Sequence, residues 1–425
     1  MRDLMVFSCG LLYVLSLGCA SNSDPGRLAL PTFQRTQLTS TFYSEGVAVA
    51  DINRDGALDI ISGPYWYAGP DFHQKFAYYP PVAFDPIGWS NNFLTFVYDF
   101  NQDGWPDILV INFPGKDASW FENPQGRDQF WLKHQVIDVV AAESPAFVDV
   151  NGDGMPDLVY VSHEGRLGWA VFDPSDPAKP WIFHAISPPG YSASAHGLGV
   201  GDVNSDGRPD ILEANGWWEQ PSSLVNDPPW IFHPFPFGPG AQISVIDIDG
   251  DGLNDVVSSL NAHGYGLAWY QQIRQGGQIS FCKHLILNPT ATPNRYGVVF
   301  SELHSVAVLD IDGDGVPDIV TGKRHWAHGP TNIDPDPNGP SVLYWFKTVR
   351  GAQGVDFIPY MIDGDSGVGT QIFVGDVDGD GLPDIVIGNK LGTFLMRQQS
   401  IVVSQQEFDA AQPQAHSPFI AACQQ

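Results

Sequence analysis

An all-β fold, built from seven four-stranded units closed into a ring, is what this sequence predicts, and three observations carry the expectation. Glycine (45) and proline (35) are too frequent among 425 residues for long helices, and they suit many short strands joined by turns. An acidic stretch, DVNGDGMPDL at Asp149, occurs in six further versions along the chain. The runs on either side of each copy also repeat in the same order, so every copy occupies the same place in a larger unit.

The copies are DINRDGALDI at Asp51, DFNQDGWPDI at Asp99, DVNGDGMPDL at Asp149, DVNSDGRPDI at Asp202, DIDGDGLNDV at Asp247, DIDGDGVPDI at Asp310 and DVDGDGLPDI at Asp376. Their starts are 48, 50, 53, 45, 63 and 66 residues apart, the length of a propeller blade. An alternating or apolar strand precedes each copy, such as GVAVA (46–50) or SVAVL (305–309), and a short apolar strand such as DILVI or DIVTG follows it. An aromatic strand comes third, as in YWYAGP (65–70), SWFENP (119–124), GWWEQP (216–221), LAWYQQ (267–272) and LYWFKT (343–348). The fourth is a strand like WLKHQVI (131–137), WIFHAI (181–186), WIFHPF (230–235) or FCKHLIL (281–287). FQRTQL (33–38) stands before the first motif at the spacing of a fourth strand, with no complete unit ahead of it. It is expected to supply the outermost strand of the seventh blade and so remove an open sheet edge. The expected division is a lipoprotein-type signal peptide at 1–19, a linker at 20–30, a seven-bladed β-propeller at 31–400 and a C-terminal tail at 401–425.

Forty-eight acids face 20 lysines and arginines, a formal net charge of −28, so a nucleic-acid backbone would be repelled and is not expected as a partner. The first residues hold one arginine, an apolar stretch from Leu4 to Leu17 and small residues around Cys19, which reads as an export signal. Gly18-Cys19-Ala20-Ser21 looks like a bacterial lipoprotein cleavage site, so the expectation is an exported monomer, either anchored to the cell envelope through a lipid on Cys19 or secreted. Past the leader only Cys282 and Cys423 remain, either as one disulfide holding the tail or as two separate thiols.

Carboxylates at positions 1, 3 and 5 of a tight turn point their oxygens at one centre, and the glycine at position 6 permits the bend. Position 9 would add a closing carboxylate. That donor set suits calcium. The expected ligands are Asp51, Asn53, Asp55 and Asp59; Asp99, Asn101, Asp103 and Asp107; Asp149, Asn151, Asp153 and Asp157; and Asp202, Asn204, Asp206 and Asp210. The last three copies add Asp247, Asp249, Asp251 and Asp255; Asp310, Asp312, Asp314 and Asp318; and Asp376, Asp378, Asp380 and Asp384. An EF-hand needs a glutamate at position 12, where these loops have Ser62, Val110, Tyr160, Glu213, Ser258, Thr321 and Ile387. Only Glu213 matches, and no helical pattern follows it. The motifs hold 24 of the 48 acids, so seven divalent ions would halve the formal charge.

If each motif joins the innermost strand to the second, the opposite face carries the heads of the inner strands: Glu45, Asn92, Glu143, His196, Gln242, His304 and Gln371. The loops after the second strands return to that face. They bring Tyr65, Trp66, Asn112, Lys116, His163, Arg166, Asn215, Trp217, Asn261, His263, Lys323, Arg324, His325, Trp326, Asn389 and Lys390. Histidines, amides, cations and indoles around a channel mouth suit a carbohydrate or a cell-envelope protein as partner, and the histidines there suit a second divalent metal besides calcium. His134, His184, His233 and His284 recur at one register of the fourth strand, where a packing or edge role is expected.

Seven in-phase copies of D-x-[DN]-x-D-G-x-x-D resemble the FG-GAP or VCBS repeats of propellers related to the head of integrin α subunits. The resemblance covers about residues 31–400 and implies a calcium-binding, ligand-presenting β-propeller. A second resemblance is narrower. TGKRHWAHGP (321–330) followed by SVLYWFKT, with His196 and His304 heading inner strands, is similar to the propeller domain of aldos-2-ulose dehydratases, which remove water from keto-sugars with metal assistance. It implies catalytic roles for His196, His304 or His325 as base or metal ligand, Glu143 as ligand or acid, and Lys323 or Arg324 as oxyanion partner. Those enzymes carry cupin domains after the propeller, whereas this chain runs about 25 residues past its last blade. No nucleophile elbow, zincin, Walker or dinucleotide motif is present.

Overall fold

The computed structural model describes residues 28–331, 333–419 and 423. The signal peptide, Cys19 and most of the expected linker lie outside the described residues. Each acidic motif is the turn between an inner strand and the second strand of its blade, and each second strand begins on the position-9 aspartate of the motif. In blade 1 the strands are Val47–Ala50, Asp59–Ser62, Tyr65–Tyr67 and Lys75–Ala77, paired in that order. Blades 4, 5 and 6 repeat the arrangement with inner strands Leu198–Gly201, Gln242–Ile246 and Val306–Leu309. The strand Leu132–Val148 serves twice, first as the outer strand of blade 2 and then as the inner strand of blade 3.

Closure of the ring comes from the N-terminus. Strand Leu28–Thr39 runs antiparallel to Gly392–Val403 and becomes the outermost strand of blade 7, with Phe33 opposite Gln398 and Gln37 opposite Phe394. It starts inside the stretch expected as linker, because Leu28, Ala29 and Leu30 still find partners in Val403, Val402 and Ile401. Beyond Val403 a short helix, Gln405–Ala411, leads to Cys423, which is disulfide-bonded to Cys282 on the outer strand of blade 5.

The core is divided between the blades. One apolar cluster lies at each junction, seven in all among the described residues, including one that joins blade 7 to blade 1 through Val377, Val386, Val47 and Ile60. Position 2 of every motif feeds these clusters: Ile52, Phe100, Val150, Val203, Ile248, Ile311 and Val377 are all buried. Near the axis the blades approach at backbone distance. Inner strands of blades 4 and 5 pair in parallel at Gly199 and Ile243, where a Cβ on Gly199 would stand 2.1 Å from the Ile243 carbonyl oxygen.

The turns are shaped as their glycines require, with the position-6 glycine at φ 92° in the first loop and 85° in the fifth. Position 9, the expected closing carboxylate, also has a second task inside the blade. Asp59, Asp107, Asp157, Asp210, Asp255, Asp318 and Asp384 are buried, and one oxygen of each accepts the position-2 backbone N–H at 2.8–3.1 Å. In six of them the other oxygen accepts an N–H from the third-strand side, such as Gly69, Asn123 or Gln272. This carboxylate therefore brackets turn, second strand and third strand together. Burial pushes Asp107 up to about 8 and Asp59 up to about 6, against the pull of those N–H groups.

Candidate metal centre at the channel mouth

All seven expected heads lie at the entries to the inner strands, yet they do two different jobs. Gln242 and Gln371 cross the channel to the backbone of other blades: Gln242 reaches the Thr370 carbonyl at 2.7 Å and the Val306 N–H at 3.1 Å, and Gln371 makes both hydrogen bonds to Thr95. Asn92 donates to the Gly63 carbonyl and accepts from Thr95 Oγ1. These three amides are engaged by groups of the ring itself. Glu45, Glu143, His196 and His304 form the other set.

His196 of blade 4 and His304 of blade 6 are brought together by His263, which follows the second strand of blade 5. His263 Nε2 stands 3.1 Å from His196 Nε2, and the His263 and His304 rings meet edge to face at 4.6 Å between centroids. One ring nitrogen from each of the three lies within 4.8 Å of the others. His304 is buried, its Nδ1 rests 3.2 Å from the Glu302 carbonyl, and its Nε2 has no hydrogen-bond partner. Burial holds its pKa well below the usual histidine range, helped by Arg324 and the neighbouring rings. Burial and His196 hold His263 down at about 4. Three imidazoles with ring nitrogens gathered about one point are the donor set of a borderline divalent metal, and three protein ligands leave a position open.

Glu143 completes the near side, with Oε2 3.2 Å from His196 Nε2 and no hydrogen bond in place. Burial alone would raise its pKa, but His196, Arg324 and His263 together bring it below the ordinary value, so the carboxylate is ionised. Arg324, fully buried, pairs with Glu45 and lies 3.8 Å from Glu143. Lys323, equally buried, donates to Glu302 at 2.6 Å and to Ser301. The oxyanion role expected for Lys323 or Arg324 needs a cation that faces a ligand. Both are instead spent on internal carboxylates, and they hold blades 6, 1 and 3 together around the channel.

His325 stays outside the trio. Its Nδ1 lies 3.0 Å from Ser341 Oγ, its ring stacks on Trp326, and burial with Lys390 nearby holds it down at about 4. From sequence, His263 stands no higher than its neighbours, and nothing singles out His328 and Asp334. These two sit in the long loop of blade 6 after Asp318–Gly322. His328 stacks on His263 at 4.5 Å, and Asp334 lies 3.4 Å from His263 Nδ1. The unusual 63- and 66-residue spacings around Asp310 were the available signal that blades 5 and 6 carry inserted chain. At the rim Trp89, donating to the Ala327 carbonyl at 3.1 Å, and Phe113 form an aromatic lip beside His328.

On the opposite face, the loops fit calcium best in the last three blades. Oxygens of Asp247, Asp249 and Asp251, of Asp310, Asp312 and Asp318, and of Asp376, Asp378 and Asp384 each lie within 4.8 Å of one another. Asp312 Oδ1 and Asp378 Oδ1 are buried without hydrogen bonds, as a cation's ligands would be. Protein cations already reach two of these sites: Lys347 pairs with Asp312 and Asp314, and Arg397 lies 3.2 Å from Asp378.

The FG-GAP-like repeat model matches residues 99–160, 149–213 and 247–321, and the FG-GAP repeat model matches 368–401. No curated protein matches by sequence. Among solved structures, an auxiliary nutrient binding protein from Bacteroides ovatus is 11% identical, with a TM-score of 0.43 over 73% of this chain and 69% of that one. BBS1N in complex with ARL6DN is 9% identical, with a TM-score of 0.47 over 88% and 96%. The rhamnogalacturonan lyase YesW is 12% identical, with a TM-score of 0.41 over 87% and 75%. Among the described residues no helix is long and apolar enough to cross a membrane. With seven motifs at seven equivalent turns and a blade built around each, the chain belongs to the FG-GAP repeat family of β-propellers.

Proposed function

We propose that this protein is a calcium-stapled ligand-binding propeller whose channel mouth holds a divalent transition metal and receives a hydroxylated ligand of carbohydrate type. The convergence of His196, His263 and His304 from three consecutive blades carries this reading. Nothing in the packing of a propeller requires three imidazoles around one point, with buried, unpartnered nitrogens on His263 and His304. When bound, the metal would supply a Lewis acid for a ligand oxygen. The chain's own residues orient the ligand: Trp89 and Phe113 offer faces for the C–H side of a sugar ring, and the ionised Glu143 accepts from a hydroxyl. Export to the cell envelope, with Cys19 as lipid carrier, belongs to the same proposal, and loss of lipid labelling in Cys19→Ala would test it.

The test is metal analysis after a calcium-selective chelator. Retention of about one zinc or similar ion by the wild type, and its loss in His263→Ala and His304→Ala, is expected. A protein that holds calcium alone would refute the metal centre and leave a sugar or protein binder without it.

One observation favours a second reading, a lyase that removes water from a keto-sugar. Glu143 is a buried carboxylate kept ionised beside the trio, as a base for a proton next to a carbonyl must be. Glu143 would take that proton, the electron pair would form a conjugated C=C bond, and the β-hydroxyl would leave as water on receiving the proton back from Glu143. Growth of enone absorbance on a keto-sugar, abolished in Glu143→Gln, would establish the lyase, and its absence would leave the binder.

A further inference from the structure

We propose that Asp334 is a positioning residue of the metal centre, fixing His263 as the tautomer that presents Nε2 to the ion. The inference rests on the reading of His196, His263 and His304 as ligands. A neutral imidazole has one lone pair and one N–H, so a ring that ligates through Nε2 must keep its proton on Nδ1 and must place that proton. His263 Nδ1 is buried and has no hydrogen bond in place, and Asp334 Oδ1 stands 3.4 Å from it.

Asp334 is itself held for this purpose. It is buried, its Oδ2 accepts the His328 backbone N–H at 3.0 Å, and His328 Nδ1 lies 3.0 Å from both of its oxygens. The His328 ring in turn stacks on His263 at 4.5 Å, which restricts the rotation of the ligand ring. The blade 6 loop is therefore part of the centre, delivering a carboxylate to a histidine of blade 5.

The same residues allow a rival arrangement, since His263, His328 and Asp334 also place one donor each within 4.8 Å. A second ion there would need His263 to bind through both nitrogens at once, which only the imidazolate can do. One ion with an Asp334–His263–metal relay asks less of the ring, and it uses Asp334 as outer partners of ligating histidines are generally used.

Zinc and cobalt titrations of the calcium-loaded protein, with a chromophoric chelator as competitor, separate these cases. The wild type is expected to bind one ion more than His304→Ala. Asp334→Asn should weaken that ion about 10- to 100-fold and shift the cobalt absorption bands, while Asp334→Glu recovers part of the affinity. The melting temperature of the calcium-loaded, zinc-free variants should match the wild type, which separates positioning from folding. Equal zinc affinity and an unchanged cobalt spectrum in Asp334→Asn would overturn the proposal while leaving the metal centre standing. Two extra ions in the wild type, of which Asp334→Asn loses one, would replace it with the bridged site. A wild type that binds neither zinc nor cobalt at the mouth would remove this proposal together with the reading beneath it.

Discussion

His325 shows how burial turns one side chain into a stability term. Held at about 4 in the fold by burial, with Lys390 and Lys323 nearby, it titrates near 6.5 in an unfolded chain. Between those values the unfolded chain binds more protons, so stability rises with pH across the window and is lost as pH falls through it. His325→Gln should flatten the melting-temperature profile between about pH 4 and 6.5 relative to the wild type, and an identical slope would show that His325 titrates normally in the fold. Gly252 tests backbone conformation in the same way. It sits at φ 85° with no atom within 4 Å of the place a Cβ would take, so Gly252→Ala meets no clash and its cost is the left-handed conformation alone. A loss of about 1–2 kcal/mol in urea unfolding is expected.

At the scale of elements, the third strand does more than its aromatic pattern suggests. Its tryptophans stack on the fourth-strand histidines at a repeated register: Trp120 on His134, Trp169 on His184, Trp217 on His233 and Trp269 on His284, with centroids 4.1–4.5 Å apart. Of the packing or edge role expected for those four histidines, the stacking shows the packing part. The amides that end the aromatic runs look, from sequence, like no more than part of the repeat. Asn123, Gln220, Gln272 and Gln398 each donate to the position-2 carbonyl of the preceding blade at 2.9–3.0 Å, onto Ile52, Val150, Val203 and Ile311. Arg350 does the same for Ile248 at 2.7 Å. Blade is tied to blade by this side-chain hook, which reaches from one blade into the acidic turn of the blade before it. Gln272→Leu should cost about 1–3 kcal/mol, because the Val203 carbonyl is left buried and unpaired. Denaturant unfolding against the neighbouring Gln271→Leu as control checks it, and equal losses would deny the hook its role.

For the whole molecule, closure and charge set the stability. Strand Leu28–Thr39 covers the last blade, so its deletion leaves the edge of Gly392–Val403 unpaired, and light scattering should show association or aggregation. Calcium chelation is expected to lower the melting temperature, and added calcium to restore it, since the motifs gather half the acids of a chain with formal net charge −28. No change on chelation would show that Lys347, Arg397 and the backbone N–H groups suffice to hold the loops.

The repeat alone settled the ring, the seven turns and the strand that closes them, because each motif is a local instruction. Gly-directed bends and alternating strands depend on residues within a few positions of one another, and repetition multiplies the signal. Which polar residues at the channel mouth meet was decided only by the tertiary structure. His196, His263 and His304 come from three blades, Asp334 from an inserted loop, and Gln242 and Gln371 from positions equivalent to His304 that the fold assigns to backbone instead. No local pattern encodes that difference, since it follows from which side chains the closed ring leaves facing one another across its axis.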